Sequence, residues 1–212
     1  MVGFTDRLAQ ATLNSLVTAY SFVGLFTAVG TDAGTGFTEV SGGSYARFST
    51  APADWNAATG SSPSTISNLN PLTFNTATAN WGTVIAWGLF DALTSGHLGC
   101  WDYVGNFQWL PAFIRASSPA SFLVHGHSYM ISDTVVFTTE YGGQAPIFRQ
   151  SNLTGLLAVA HTTTDIFDVT NSAVQVNTAG TGDGSVRKIV PTIVNSGAKW
   201  QFDPSTLVIS LG

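Results

Sequence analysis

His125-Gly126-His127 is the clearest constellation of reactive side chains in the chain. Two imidazoles two residues apart share one face of an extended segment, which is the geometry of half a metal site. The remaining ligands would have to come from His97, Cys100, His161 or an aspartate across a sheet, and no spacing marks any of them. No metal or other cofactor is therefore expected, and buried or interface histidines are the plainer reading. The 12 carboxylates lie scattered through loop-like stretches. A glycosidase pair needs only proximity in space and leaves no sequence signature. A nucleophile-elbow serine, a phosphate-binding glycine loop and a zinc-protease motif would leave one, and none is present. Repeats of the length that builds a β-helix are absent as well. An enzyme is not expected.

Tryptophan suggests a second chemistry. Indole faces stack on pyranose rings, so Trp55, Trp101, Trp109 and Tyr103 are candidate platforms for a glycan. Tryptophan buried in a β-sandwich is the commoner arrangement, and it fits best for Trp81 and Trp87.

Those two residues belong to the stretch that organises the chain, Thr76 to Gly96. Its centre, Val84 to Phe90, is apolar at odd and even positions alike, so a strand there is buried on both faces. Asn80-Trp81-Gly82 leads in and Asp91 to Gly96 leads out, both turn-forming. Trp81, Val84, Trp87 and Phe90 are the core residues this pattern predicts.

Composition narrows the class. Charged residues make up 9% of the 212 positions and the formal net charge is −5, so hydroxyl and amide side chains carry the polar surface. Seven Lys and Arg without a cluster do not suit a duplex-DNA partner. A single cysteine excludes an intrachain disulfide and a thiol-based zinc site. The first 20 residues lack the pattern of a signal peptide, so synthesis in a cytoplasm without export is expected. No apolar run approaches the ~18 residues of a membrane-spanning helix.

Along the chain, Thr5 caps and Asp6 opens an amphipathic helix over residues 6 to 18, with Leu8, Leu13, Leu16 and Val17 recurring at three- and four-residue intervals. Tyr20 to Thr27 reads as a strand. Residues 28 to 44 read as a glycine-rich loop whose single close carboxylate is too few for calcium. Tyr45 to Thr50 reads as a strand, with Arg47 needing an acceptor that Asp54 or Asp91 would supply. Pro71 confines the strand of Ile66 to Asn75 to an edge or a bend. Strands follow at Thr134 to Phe137, Asp165 to Val169, Ala173 to Val176, Lys188 to Val194 and Thr206 to Leu211.

Tyr45-Ala46-Arg47, Asp54-Trp55-Asn56, Ser67-Asn68, Phe74 to Val84 and Phe90-Asp91-Ala92 follow one another in the order and spacing of a family of tailed-bacteriophage virion proteins labelled tail fibre, minor tail or head fibre. The chain resembles that family over roughly residues 1 to 100, most specifically in Thr76-Ala77-Thr78-Ala79-Asn80-Trp81-Gly82-Thr83-Val84. The resemblance implies a virion protein, as a tail-fibre, tail-tip or head-decoration subunit. Its partners would be copies of itself, as a trimer or larger ring, and other capsid or tail proteins. A glycan-binding role at the host surface is the alternative; neither nucleic acid nor membrane is expected as a partner.

The family's closing strand resembles both Ser132 to Phe137 and Phe202 to Leu211. Either the sandwich closes near residue 140 or a long insertion precedes the last strand. The Tyr141 to Pro146 linker favours the first, giving a mainly β, antiparallel β-sandwich with a short N-terminal helix over residues 1–141 and a C-terminal β extension over 142–212. Leu8, Leu13, Leu16 and Val17 on the helix and Ile147 and Phe148 after the linker are then the candidate assembly contacts.

Overall fold

The computed structural model describes residues 5–31, 33–105, 110–115, 121–124, 127–138, 157–163, 166–169 and 183–211. The chain divides into two compact units, one built from residues 1–106 with 191–212 and the other from 107–190.

The first unit opens with α1, Asp6–Ala19, capped where Thr5 accepts a hydrogen bond from the Leu8 N–H at 3.4 Å. Its spacing turns Ala9, Leu13 and Val17 inward. The strands that follow are β1 (Phe22–Ala28), β2 (Thr38–Glu39), β3 (Phe48–Ser49), β4 (Ser64–Ser67), β5 (Leu72–Thr73), β6 (Gly82–Val84), β7 (Ala86–Phe90) and β8 (Leu98–Tyr103). β2, β1, β7 and β8 lie side by side as an antiparallel sheet, with β3 also paired to β1. β7 is buried at all five positions, the double-sided burial its unbroken apolar run demands.

In the second unit, β9 (Leu110–Arg115), β10 (Ser121–Leu123), β11 (Thr134–Thr138), β12 (Leu157–Thr162), β13 (Ile166–Val169) and β14 (Asp183–Ile189) close into an antiparallel barrel in the order β10-β13-β12-β11-β14-β9. Phe122, Val124, Val135, Val159 and Val186 are fully buried there.

The last strands, β15 (Thr192–Val194), β16 (Gln201–Phe202) and β17 (Val208–Leu211), return to the first unit. β15 pairs with β6, β16 with β5 and β17 with β4, each antiparallel. Residues 192–211 thus zip back along residues 64–84 in three steps, with Pro71 in the gap between β4 and β5. These ladders and α1 enclose one core with the inner face of the five-stranded sheet: Leu13, Val17, Val23, Leu25, Trp87, Leu89 and Leu207 belong to a single buried cluster.

The protein is mainly β, with antiparallel sheets packed as a sandwich and one N-terminal helix. The division differs from a boundary after residue 141, because β11 and β14 pair Thr134 with Ile189 and Thr138 with Ser185 across it. In the sequence the linker-like Tyr141 to Pro146 points to the earlier closure, because Ser132 to Phe137 and Phe202 to Leu211 are equally good strands and pairing partners lie far away in the chain.

Candidate functional site

β-strand alternation gives the five-stranded sheet a second, outer face. Val23, Leu25, Trp87 and Leu89 point to the core, so Phe22, Gly24, Phe26, Ala86, Gly88 and Phe90 point away from it. There Phe26, Ile85, Ala86 and Phe90 form a smaller buried cluster, with Phe37, Leu98, Trp101 and Tyr103 half-buried at its margin. Gly24, Gly88 and Trp101 lie in register across three strands. A Cβ at Gly88 would meet Leu98 Cδ1 at 2.5 Å, Phe26 Cε2 at 2.9 Å and the Cys100 carbonyl oxygen at 3.0 Å. Glycine is what lets Leu98 and Phe26 lie close against the sheet.

Trp101 meets Phe37 and Tyr103 edge-on, with ring centroids 5.2 and 5.3 Å apart. Phe37 meets Phe26 at 4.8 Å. Such offsets suit the ring quadrupoles and hold the aromatic margin in place.

One end of this face is capped by charge. Arg47 donates from Nε and Nη2 to the two carboxylate oxygens of Glu39 at 2.9 and 2.7 Å, and from Nη1 to the Ala92 and Ser95 carbonyls at 2.7 and 2.6 Å. Its guanidinium carbon sits 3.3 Å above the centre of the Phe90 ring. Tyr45 donates to Glu39 at 2.9 Å and accepts the Leu25 N–H at 2.8 Å. Burial, and then the Glu39 charge, push the Tyr45 hydroxyl far above its ordinary pKa, so it stays a donor. The forked pairing answers the desolvation cost of an arginine whose side chain is only 8% exposed.

The acceptor for Arg47 is therefore Glu39, and neither of the aspartates expected. Asp54 accepts the Ala51 N–H at 2.8 Å, and Asp91 accepts the His97 N–H at 2.7 Å while meeting its ring Nδ1 at 3.1 Å. Glu39 was missed because it lies within the glycine-rich stretch of residues 28 to 44 that reads as loop. Its alternation with Phe37 was the available signal.

Of the glycan candidates, Trp101 and Tyr103 stand together at the aromatic margin, and Trp55 is elsewhere, 5% exposed within the main core. The Trp55 ring offers no open face for stacking, because it packs inside the sandwich. Trp109 lies outside the described residues, as do Ile147, Phe148 and His125. Trp81, Val84, Trp87 and Phe90 are all buried. On α1, Leu13 and Val17 are spent in the chain's own core, Leu16 is half-buried and Leu8 is 51% exposed, so Leu8 alone of the four keeps most of its surface for a neighbour.

His127 follows the end of β10 and is buried. Its Nδ1 accepts the Tyr129 N–H at 3.1 Å, and its ring stacks on Tyr129 at 4.9 Å. That nitrogen is committed to the backbone. Among the described residues no three of His, Cys, Asp and Glu gather as a metal site.

No curated protein matches the chain. Residues 3–108 match the family described as Podophage GP4 fiber I protein gp80. The match takes in α1, the whole five-stranded sheet, the Arg47–Glu39 pair and the aromatic margin. The chain belongs to this family of podophage fibre proteins and is a structural protein of a bacteriophage virion.

Proposed function

We propose that the protein is a non-enzymatic subunit of a tailed-phage particle, at the tail fibre, tail tip or head surface, working through contacts with copies of itself and with other virion proteins. The observation that carries this reading is the family match over residues 3–108, a span whose buried side chains are used for packing. Trp55, Trp81 and Trp87 are inside, and the Arg47–Glu39 ion pair is fully engaged within the fold. A chain with so few charges can lose water over a broad surface at little electrostatic cost, which suits association. The test is the mass of the purified protein by light scattering, followed by its binding to purified particles. A trimer or larger ring that adds to particles and ignores host glycan supports assembly. A monomer that binds glycan and ignores particles overturns it.

The half-buried pair Trp101 and Tyr103, two residues apart on β8, favours a second reading, in which the same subunit recognises a host-surface glycan. Trp101→Ala separates the two. Particles that assemble fully but adsorb poorly to cells support recognition, and unchanged adsorption removes it.

A further inference from the structure

The first unit releases the chain at Val104-Gly105 and takes it back at Pro191-Thr192. Val104 N–H donates to the Ile85 carbonyl at 2.9 Å, and Thr192 pairs with Val84. Departure and return are thus fastened to consecutive residues of one segment. Gly105, at φ +98°, turns the chain out of its strand, and Pro191 has no N–H to continue a ladder on return. Between these points every described strand pairs only with strands of the same unit, and the barrel they form is closed. A closed barrel leaves no sheet edge that must be satisfied from outside. The family match ends at residue 108, within two residues of the point where the first unit stops. The shared fibre character therefore lies in the leading part of the discontinuous unit, which includes residues 64–84 that the return strands pair with.

We infer that residues 107–190 are an inserted module stabilised by its own barrel, and that the surface attaching the chain to other virion proteins lies entirely on the discontinuous unit of residues 1–106 and 191–212. The attachment half of this inference rests on the assembly reading above. Met130 and Ile131, at 65% and 62% the most exposed large apolar side chains among the module's described residues, are then not part of the virion contact. They sit on a firmly held turn: the Met130 N–H donates to Asp133 at 2.7 Å, Ser132 N–H to the Val159 carbonyl at 2.8 Å, and Lys188 pairs with Asp133 at 2.8 Å.

The full-length protein tests both halves. Five of the six tryptophans, Trp55, Trp81, Trp87, Trp101 and Trp200, belong to the discontinuous unit, and Trp109→Phe removes the sixth. In that background, tryptophan fluorescence during urea unfolding reports on the discontinuous unit alone. Leu25→Ala is expected to lower the fluorescence midpoint, and Phe122→Ala, inside the barrel, to leave it in place. Equal shifts from the two substitutions overturn the independent module. If Phe122→Ala is insoluble, the smaller truncation Val135→Ala reads the same quantity. For attachment, the double variant Met130→Asp, Ile131→Asp is expected to add to purified particles as well as the unaltered protein does, and a tenfold or greater loss overturns the assignment. Failure of the unaltered protein to add to particles sinks the assembly reading itself, and the unfolding comparison still decides whether the module is independent.

Discussion

The two units solve the same problem, the unpaired edge of a β-sheet, in different ways. In the barrel, each of six strands has a neighbour on both sides, so backbone hydrogen bonding closes the structure without help from particular side chains. The first unit has an open sheet and three two-stranded ladders, the shortest only two residues long. Short ladders supply few backbone bonds, and the return strands arrive more than a hundred residues after their partners. Side-chain pins hold what the ladders alone would not. A closed ladder makes a unit tolerant of side-chain change, and an open one makes it depend on a few polar groups and on close backbone packing.

The sharpest way to break that contrast is at Arg47. Arg47→Ala leaves Glu39, whose side chain is 25% exposed, without its cation, and strips two carbonyls of their donors. Removing one partner of a buried pair costs about 3–5 kcal/mol. We expect a loss near the lower end of that range in chemical denaturation, because Glu39 keeps some water. A loss under about 1 kcal/mol, the scale of an exposed pair, would show that the outer face does not depend on this pin.

Asn68 comes next. It is completely buried; its Nδ2 donates to the Asn70 and Asp203 carbonyls, each at 2.8 Å, and its Oδ1 accepts the Leu207 N–H at 2.9 Å. One side chain thereby fastens the loop after β4 to the chain entering β17. Asn68→Ala orphans the buried Leu207 N–H at a cost of about 1–3 kcal/mol, and releases the Asn70 and Asp203 carbonyls as well. Hydrogen exchange should then speed up in residues 201–211 before it does in β1 and β7. Uniform acceleration across the unit would show that the return strands are not a separately pinned element.

A smaller effect is expected at Gly88. The added methyl of Gly88→Ala strikes Leu98, Phe26 and the Cys100 carbonyl, and Leu98 and Phe26 can shift where the backbone oxygen cannot. Overpacking of this kind costs about 1–3 kcal/mol. Near-ultraviolet circular dichroism should change with it, since Phe26 contacts Phe37 and Phe37 contacts Trp101. An unchanged aromatic spectrum would separate the glycine row from the aromatic margin.

These three sites also mark what the sequence can and cannot tell. β7 was legible because seven consecutive apolar residues bounded by turns admit few structures, and α1 because Thr5, Asp6 and the leucine spacing agree with one another. Ser67-Asn68 was legible only as part of a resemblance, since nothing local says that Asn68 binds residues more than 130 positions away. The Arg47 partner was sought among aspartates in recognisable turns, and it sits on a two-residue strand too short to show periodicity. The barrel escaped for the same physical reason. Of its strands the sequence marks β11, β13 and only the end of β14, and closure depends on pairings such as β9 with β14 that join segments about 70 residues apart, where alternation along a strand does not encode its neighbour.

The mildest departure expected is at Asp91, in the loop that Arg47 holds from the other side. The hydrogen bond from the His97 backbone N–H, and then that from its ring, keep the Asp91 carboxyl below its ordinary pKa. A carboxyl whose folded pKa is depressed adds stability above its unfolded value and gives it up as pH falls through the folded one. Asp91 is on the solvent-exposed surface, so solvent screening keeps the effect local to residues 91–97. We expect the His97 amide resonance to move in a single step below the ordinary carboxylate range, and Asp91→Asn to abolish that step while leaving the unfolding midpoint almost unchanged. A midpoint shift rivalling that of Arg47→Ala would mean that the loop is itself one of the pins, with the Asp91–His97 contacts holding the outer face alongside Arg47.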